Sequence, residues 1–363
     1  MEANDTDSRL DPSRFMQGLP DHAAKYMLAG ESLDHVCTVE LRSPGMPRGF
    51  LSRLYEAARS YHRAPLGLLA ASRLRDVLPA PRLPVIIGTA AGRPVVQPKG
   101  ETDGPIGAAA LARALHIASG ATPVFVCGDE FTDPVVAAAE AAGFTFLALP
   151  EASQRLFGAC LIPVPTRADA KEHDHARAVL DEVGPAAVVA IERPGPNALG
   201  VTHSTLGTAS PTPVATIGAL LLAARQRGLL TIGIGDAGNE VGFGVIAQSV
   251  RSIHPLGAQC RCPCGGGVAC VVPADVVVVA SCSNLGAYNV AACLALLTGQ
   301  REALVSPALE ARLFEACVRA GAEEAAHGRD LWCDGIPLEA HSAFVRIIEE
   351  VVSVEARAVQ RPW

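Results

Sequence analysis

The sequence has no long apolar run. Its most apolar stretches, 218–224 and 274–280, are far shorter than the about 18 residues that a membrane-spanning helix requires. The first fifteen residues contain four acidic side chains and no apolar segment, which disfavours a secretory signal and an Arg-rich transit peptide. We therefore expect no membrane partner and a cytoplasmic location.

Lysine is scarce, with three lysines against 27 arginines, and the basic residues are scattered singly in a chain of net charge -7. Without a basic stripe, nucleic acid is not expected as a partner. The G-x-S-x-G elbow, the H-E-x-x-H helix and the P-loop are also missing, which disfavours serine hydrolase chemistry and P-loop ATP use.

The residues that are present predict an α/β fold. The 34 glycines and 27 prolines mostly punctuate short β-branched runs that alternate with Ala/Leu-rich helical stretches. Because 276–279 is apolar on both faces, we predict a doubly wound, mainly parallel sheet with helices on both faces. The predicted strands are 84–88, 123–127, 144–149, 186–191, 229–234 and 275–281. The predicted helices between them are 106–119, 133–142, 169–183, 214–227 and 286–297.

The domain organisation is predicted as one unit. The sheet and its helices form a core over about 80–300, within a single domain over 30–357. An N-terminal helical cap covers 30–78, and C-terminal closing helices are expected at 307–321 and 337–354. Residues 1–29 are predicted to form a flexible tail. A homo-oligomer is compatible with the sequence.

Ligands of parallel sheets bind at the carboxyl ends of the strands, so the loops there are the candidate site. Glu101, Asp103 and Gly104 precede a helix, where Asp103 either serves a ligand or only caps that helix. Glu192 and Arg193 directly follow a strand, where Arg193 could bind a carboxylate or form a surface pair with Glu192.

Residues 233–238 match the pattern G-x-G-x-x-G of dinucleotide-binding loops. Asp236 would stand beside the pyrophosphate, and 245–273 offers no acid for a ribose, so NAD is not expected. Asp236, Asn239 and Glu240, with Gly238 between them, indicate an acid/base pair or oxygen ligands for Mg²⁺ or Mn²⁺. The alternative is a turn whose Asp and Asn bind their own backbone.

Ser283 and Asn284 begin a helix after the most buried predicted strand, where carboxylate oxygens bind well. Helix capping would explain one of the two side chains. Cys260, Cys262 and Cys264 have a poor spacing for zinc, and His254 is the nearby partner. We expect a mobile loop with exposed thiols that need not fold around metal, while other cysteines are buried in strands and helices.

Five motifs occur in one order along the chain. They are Glu-Thr-Asp-Gly-Pro at 101–105, Ile-Glu-Arg-Pro-Gly at 191–195, Gly-Asp-Ala-Gly-Asn-Glu-Val-Gly at 235–242, Ser-Asn-Leu-Gly at 283–286 and Asp-Gly-Ile-Pro-Leu-Glu at 334–339. With them the chain resembles the D-glutamate cyclase-like C-terminal domain family over about 30–355. The resemblance implies a lyase that cyclises D-glutamate, or a related amino-dicarboxylate, to 5-oxo-D-proline with loss of water. It also implies a domain that stands alone, with a divalent cation as an optional cofactor.

The resemblance implies roles for the same loops. Asp236 and Glu240 are the first acid/base candidates, and Glu101 and Asp103 the second. The expected substrate-binding residues are Gly104, Glu192, Arg193, Gly238, Asn239, Ser283 and Asn284. The segment 199–207 departs from the family pattern, because Leu206 stands where the family has an arginine. A carboxylate-binding protein without catalysis is therefore the alternative.

Overall fold

The computed structural model describes residues 23–42, 45–93, 95–165, 171–210 and 215–356. Most of the predicted tail, residues 1–22, lies outside this part of the chain. The tail's predicted end at 29 is wrong, because helix α1 already begins at Ala23 and runs to Cys37. Ala29, Leu33 and Cys37 recur every four residues and are buried, so packing on the core holds this segment in the helix.

Helices α1, α2 (Leu51–His62) and α3 (Leu66–Val77) form the predicted N-terminal cap. The carboxylate of Asp34 holds it together, since its oxygens accept hydrogen bonds from the backbone N–H groups of Leu66 (2.6 Å) and Gly67 (3.1 Å). Asn289 Nδ2 donates to the same carboxylate at 2.7 Å. The start of α3 is therefore capped from another helix.

The predicted α/β class is confirmed by a central sheet of seven parallel strands in the order β3-β4-β2-β1-β5-β6-β7. The strands are β1 (Pro84–Gly88), β2 (Thr122–Gly128), β3 (Thr145–Phe146), β4 (Gly158–Val164), β5 (Ala187–Ile191), β6 (Leu230–Gly235) and β7 (Val276–Val279). Strand β1 lies centrally, with Val85 paired to Pro123 of β2 on one side and to Ala187 of β5 on the other.

Helices surround the sheet. They are α4 (Pro105–Ser119), α5 (Thr132–Ala141), α6 (Leu149–Ala152), α7 (Glu172–Val183), α8 (Ala215–Gln226), α9 (Ala247–Ile253), α10 (Ser283–Thr298), α11 (Pro307–Arg319) and α12 (Leu338–Ala356). The β1–α4–β2 and β5–α8–β6 units cross the sheet in opposite directions, so right-handed connections place α4 and α8 on opposite faces. Helix α10 packs beside α3 and α4, and α7 packs beside α8.

The largest error of the predicted sheet is at its β3 edge. The predicted strand 144–149 contains only Thr145 and Phe146, and β4 was not predicted at all. Strand β3 pairs with only the first two residues of β4, so the later part of β4 has an open edge. Pro163 lies in that part, where the missing N–H costs little, although a proline in sequence argues against a strand.

A two-residue hairpin precedes α12. Strands β8 (Trp332–Cys333) and β9 (Ile336–Pro337) are antiparallel, and Asp334 and Gly335 between them have φ of 50° and 75°. Positive φ at both positions is typical of a type I′ turn, for which Asp-Gly is a preferred pair. The turn brings Asp334 to the carboxyl edge of the main sheet.

The expectation of exposed thiols at 260–264 is wrong for Cys260, which is buried, and Cys262 and Cys264 are half-buried. The proposed partner His254 is turned elsewhere, since its ring packs on Phe50 and its Nε2 lies 3.2 Å from Thr205 Oγ1. The prediction that other cysteines are buried is confirmed for those in strands and helices. In the described ranges no helix has the length and apolarity to span a membrane.

Candidate functional site

A cleft opens at the carboxyl ends of the central strands. The chain order reverses between β1 and β5, and ligands of doubly wound folds bind at such a point. The loops after β1, β5 and β6 line the cleft, together with the 203–210 segment and the Asp334 turn. Of the predicted site residues, six line it: Glu101, Asp103, Glu192, Asp236, Asn239 and Glu240.

The other predicted residues lie behind the cleft wall: Gly104, Arg193, Gly238, Ser283 and Asn284. The loop that contains Ser283 and Asn284 therefore supports the site without lining it.

Asp103 and Asn284 join two helix starts below the cleft. Asp103 accepts hydrogen bonds from the backbone N–H groups of Ser283 (2.7 Å) and Asn284 (2.8 Å), so it caps α10 and not its own helix. Asn284 Oδ1 accepts from the N–H groups of Gly104 (3.0 Å) and Gly107 (2.6 Å), at the start of α4. Burial raises the pKa of Asp103 well above its ordinary value, and the nearby Cys282 and Asp236 add to this.

Glu240 closes the loop after β6. Its carboxylate accepts hydrogen bonds from the N–H groups of Ala237 (3.1 Å) and Gly238 (2.7 Å). Gly238 has φ of 91°, which a side chain would strain, and Val250 leaves no room for one. Burial, followed by the charge of Asp236, raises the pKa of Glu240 well above its ordinary value. The alternative prediction was a turn whose Asp and Asn side chains bind their own backbone. Such a turn is present, but the side chain that accepts the backbone N–H groups is Glu240.

Asp236 is paired with Arg42, a residue that the sequence analysis missed. Arg42 Nη2 contacts Asp236 Oδ2 and donates to the Asp236 carbonyl at 2.7 Å. Arg42 is only 3% exposed, and its guanidinium lies over the Phe50 ring, 5.2 Å from the centroid. Its position before α2, far from any strand end, gave no signal in the sequence.

Asp334 is a second residue that the prediction of site residues left out. It is half-buried and lines the cleft. Burial raises its pKa well above the ordinary value, and the charges of Asp236 and Asp103 and a hydrogen bond with Asp236 act in the same direction. The shift favours the protonated form of Asp334, in which its O–H can donate to Asp236. The Asp-Gly pair of the type I′ turn was the signal that could have placed it.

Glu192 lies at the end of β5 with φ of 50°, an uncommon conformation for a residue with a side chain. Ser283 Oγ donates to its Oε2 at 2.5 Å. Burial, and then the charges of Asp236 and Glu240, raise the pKa of Glu192 well above its ordinary value. The strained backbone turns this carboxyl toward the cleft instead of away from it.

Glu101 is half-buried in the cleft. Burial, and next the charge of Asp236, raise its pKa from 4.5 to about 7, although Arg93 and Arg193 oppose the shift. Gln97 Nε2 lies 3.4 Å from its Oε2. A carboxyl with a pKa near neutrality can both take up and release a proton at physiological pH.

The two nearby arginines differ in access. Arg193 is 2% exposed, does not line the cleft, and has its pKa lowered to about 10 by burial. Its predicted contact with a substrate carboxylate is therefore not supported by its position. Arg93 is half-buried and lines the cleft. It is the guanidinium that a ligand in the cleft can reach.

Asn239 offers a polar atom to a ligand. Its Nδ2 donates to the carbonyl of His203 at 3.0 Å. Its Oδ1 is buried and has no hydrogen-bond partner among the residues that the structure describes. Because an unsatisfied buried acceptor is costly, this oxygen is suited to receive an ammonium or amide N–H from a ligand.

Oxygens of Glu192, Asp236 and Glu240 lie within 4.8 Å of one another. Such a set suits Mg²⁺ or Mn²⁺ by ligand type. Each of these carboxylates already accepts hydrogen bonds from Ser283, Arg42 or backbone N–H groups. A cation there would have to displace or share these donors.

Comparisons with known proteins agree with the motifs. The profile of the family described as "D-glutamate cyclase-like, C-terminal" matches residues 50–349. The human protein "D-glutamate cyclase, mitochondrial" is 36% identical over 111 residues, which are 30% of this chain and 17% of that relative. The match thus spans under a fifth of that protein's length.

Among solved structures, E. coli tRNA N6-threonylcarbamoyladenosine dehydratase in complex with ATP has 12% identity and a TM-score of 0.27. The match covers 69% of this chain and 95% of that chain. At that TM-score the likeness carries no inference about function.

Proposed function

Because the chain belongs to the D-glutamate cyclase-like family, we propose that it is a lyase that closes D-glutamate, or a close amino-dicarboxylate analogue, to a 5-oxoproline with loss of water. The observation that carries the proposal is Glu101. It is a cleft carboxyl with a pKa of about 7, in the same cleft as Asp334, whose pKa burial raises well above its ordinary value. This pairing of one base and one retained proton is what an intramolecular dehydration requires.

Glu101 is the proposed base. The substrate ammonium loses a proton to the Glu101 carboxylate, and the freed nitrogen attacks the γ-carboxyl carbon to form the new C–N bond. Arg93 and Arg193 keep the pKa of Glu101 from rising further, so a useful fraction is ionised at neutral pH. Glu101 replaces Asp236 and Glu240 as the first candidate because its oxygens are less occupied within the protein.

Asp334 is the proposed acid. Burial and the nearby acids raise its pKa well above the ordinary value, which favours the protonated form. It gives its proton to the departing γ-oxygen, the nitrogen's second proton goes to the same oxygen, and the C–O bond breaks to release water. Proton return from Glu101 to Asp334 restores both groups. Asp236, held by Arg42, positions the Asp334 carboxyl and is a positioning residue in this scheme.

Arg93 and Asn239 are the proposed binding groups. The Arg93 guanidinium can hold the α-carboxylate with two parallel hydrogen bonds. Asn239 Oδ1 can accept from the substrate nitrogen, which would satisfy this buried atom. Together they would hold the nitrogen close to the γ-carbon, which lowers the barrier to ring closure by fixing the reacting atoms in position.

The test is incubation of the purified protein with D-glutamate, with L-glutamate as the control, followed by chiral chromatography for 5-oxoproline. Parallel samples contain Mg²⁺, Mn²⁺ or a chelator, which tests the carboxylates of Glu192, Asp236 and Glu240 as cation ligands. Formation of 5-oxo-D-proline that Glu101→Gln abolishes supports the proposal. No product with any amino-dicarboxylate contradicts it.

One observation favours the alternative, a carboxylate-binding protein without turnover. Leu206 lines the cleft at the position where the family resemblance implies an arginine. If that arginine is needed for catalysis, this chain would bind an amino-dicarboxylate and release it unchanged. Thermal stabilisation by D-glutamate without product would support this function.

A further inference from the structure

Four soft metal ligands meet beside the cleft, outside the acid/base machinery. They are His203 Nε2 and the Sγ atoms of Cys260, Cys262 and Cys264, and all lie within 4.8 Å of one another. Cys260 Sγ is 3.5 Å from Cys262 Sγ and 3.3 Å from Cys264 Sγ. His203 Nε2 is 3.2 Å from Cys262 Sγ and 3.4 Å from Cys264 Sγ.

We propose that these four residues form a structural zinc site that ties the cysteine loop to one wall of the cleft. Tetrahedral zinc, with Zn–S near 2.3 Å and Zn–N near 2.0 Å, separates its ligand atoms by about 3.5–3.8 Å. The observed separations are a few tenths of an ångström shorter, so each side chain needs only a small shift. Zinc entry would release the thiol protons to solvent and leave three thiolates on the metal.

The ligand set selects the metal. Thiolates and imidazole suit zinc, whereas Mg²⁺ and Mn²⁺ prefer oxygen ligands. Four protein ligands leave no open position, which is typical of structural and not catalytic zinc. The site is therefore independent of any cation bound by the carboxylates in the cleft.

The surroundings support thiolates at these positions. The Gly266 N–H donates to Cys264 Sγ at 3.4 Å, and Asn197 Nδ2 lies 3.7 Å from the same sulfur. Such N–H donors stabilise metal-bound sulfur and fix its orientation. Asn197 Nδ2 also donates to the Gly267 carbonyl at 2.8 Å, and Arg251 Nη1 to the Gly266 carbonyl at 2.8 Å. These hydrogen bonds hold the backbone of the loop around the ligand atoms.

The sequence alone did not indicate this site because the fourth ligand is distant in the chain. His203 lies 57 residues before Cys260, and an isolated histidine gives no zinc spacing. The fold brings the two segments together, since the Arg261 N–H donates to the Gly207 carbonyl at 2.9 Å. His203 is fully buried, so its imidazole faces the sulfurs and not solvent.

A metal at this position would act on the cleft wall. His203 lines the cleft, and its carbonyl accepts the hydrogen bond from Asn239 Nδ2. Zinc would fix His203 and hence the 203–210 segment and the Asn239 side chain. This segment includes Leu206, so zinc would support the part of the cleft in which the sequence departs from the family resemblance.

The experiment measures zinc in the purified full-length protein, produced with zinc in the medium and dialysed without chelator. We expect one zinc per chain in the wild type and in the control Cys160→Ala, whose thiol lies in β4 outside the cluster. His203→Ala and Cys262→Ala should each lose zinc affinity by about tenfold or more, because each removes a direct ligand.

A second measurement keeps the proposal testable if these variants fail to fold. Cobalt(II) is titrated into wild-type protein stripped of metal, and thiolate charge-transfer and tetrahedral d–d bands should saturate at one cobalt per chain. Wild-type protein without zinc or cobalt binding and with three titratable thiols in this loop would overturn the proposal. So would a disulfide among Cys260, Cys262 and Cys264, or zinc that both ligand variants retain.

Discussion

Asp103 and Asn284 cap each other's helix: Asp103 binds the first N–H groups of α10, and Asn284 Oδ1 binds those of α4. This exchange fastens the loop after β1 to the loop after β7 across the switch point of the sheet. Both side chains were expected to act on a substrate. Their oxygens are used inside the protein instead, and the exchange holds Glu101 and Glu192 at the cleft.

Asn284→Ala tests this structural role. The change leaves the Gly107 N–H without its acceptor in a buried place, whereas the Gly104 N–H keeps Asp103 Oδ1 at 3.0 Å. The loss should lower the free energy of unfolding by about 1–3 kcal/mol. Urea unfolding measures the loss. The KM for substrate should stay within about twofold of wild type where the variant is folded. A normal stability with a strongly raised KM would show that Asn284 binds substrate.

Glu101→Gln tests the proposed base. The amide cannot take up the ammonium proton, so turnover should fall by about 100-fold or more while the fold is kept. For the wild type, kcat/KM should rise as pH increases through about 7, because the carboxylate is the active form and kcat/KM reports the pKa of the free enzyme. Gln97→Ala is a matched control beside Glu101 and should lower turnover far less. Full activity of Glu101→Gln would move the base elsewhere.

The same pKa shift predicts how stability depends on pH. Between the ordinary value of 4.5 and about 7, folded Glu101 binds a proton that the unfolded chain has released. The free energy of unfolding therefore falls as pH rises through this window. Glu192, Glu240 and Asp334 act in the same direction, because their pKa values are also raised. Urea unfolding at several pH values should give a shallower fall in Glu101→Gln than in the wild type.

Arg42→Met tests the buried pair with Asp236. Removing the guanidinium leaves Asp236 with a buried and uncompensated charge, which should cost about 3–5 kcal/mol of stability. Arg59→Met is the control, because its pair with Glu31 is partly exposed and should contribute less than about 1 kcal/mol. Thermal unfolding of both variants gives the comparison. Equal losses of stability in the two variants would show that the buried Arg42–Asp236 pair stabilises the fold no more than the partly exposed pair does.

The sequence predicted the regular part of the fold well because its signals are local. The bounds of β1, 84–88, were predicted as they occur, since a β-branched run between prolines and a glycine identifies a buried strand. Strand β4 was missed because a proline in a sequence argues against a strand. In the structure Pro163 lies where β4 has an open edge. The acidic loops were found because functional residues of parallel sheets lie at the carboxyl ends of the strands. The family was identified from five motifs that occur in one order along the chain.

The contacts between distant residues could not be predicted in this way. Nothing near Arg42 in the sequence shows that it meets Asp236, 194 positions later. Nor does the spacing of Asp103 show that it caps α10 and not the helix that follows it. Roles of charged residues depend on which groups the fold brings beside them, and one sequence carries no record of these pairs.

Asp236→Asn separates positioning from proton transfer. In our scheme Asp236 accepts from Arg42 and from the protonated Asp334 but carries no proton in the reaction. An asparagine keeps one oxygen for Arg42, yet it removes the negative charge that helps raise the pKa of Glu101 and of Asp334. The pH at which kcat/KM reaches half its plateau should therefore move to lower values. Turnover should fall by less than in Glu101→Gln. Asp236→Ala should be less stable than Asp236→Asn, because Arg42 then keeps the backbone carbonyl of residue 236 but loses the side-chain acceptor. A pH profile for Asp236→Asn identical to wild type, measured on protein with intact thermal unfolding, would show that this charge does not act on Glu101. Turnover lost as completely as in Glu101→Gln, with no change in the pH profile of the residual activity, would instead return Asp236 to direct proton transfer.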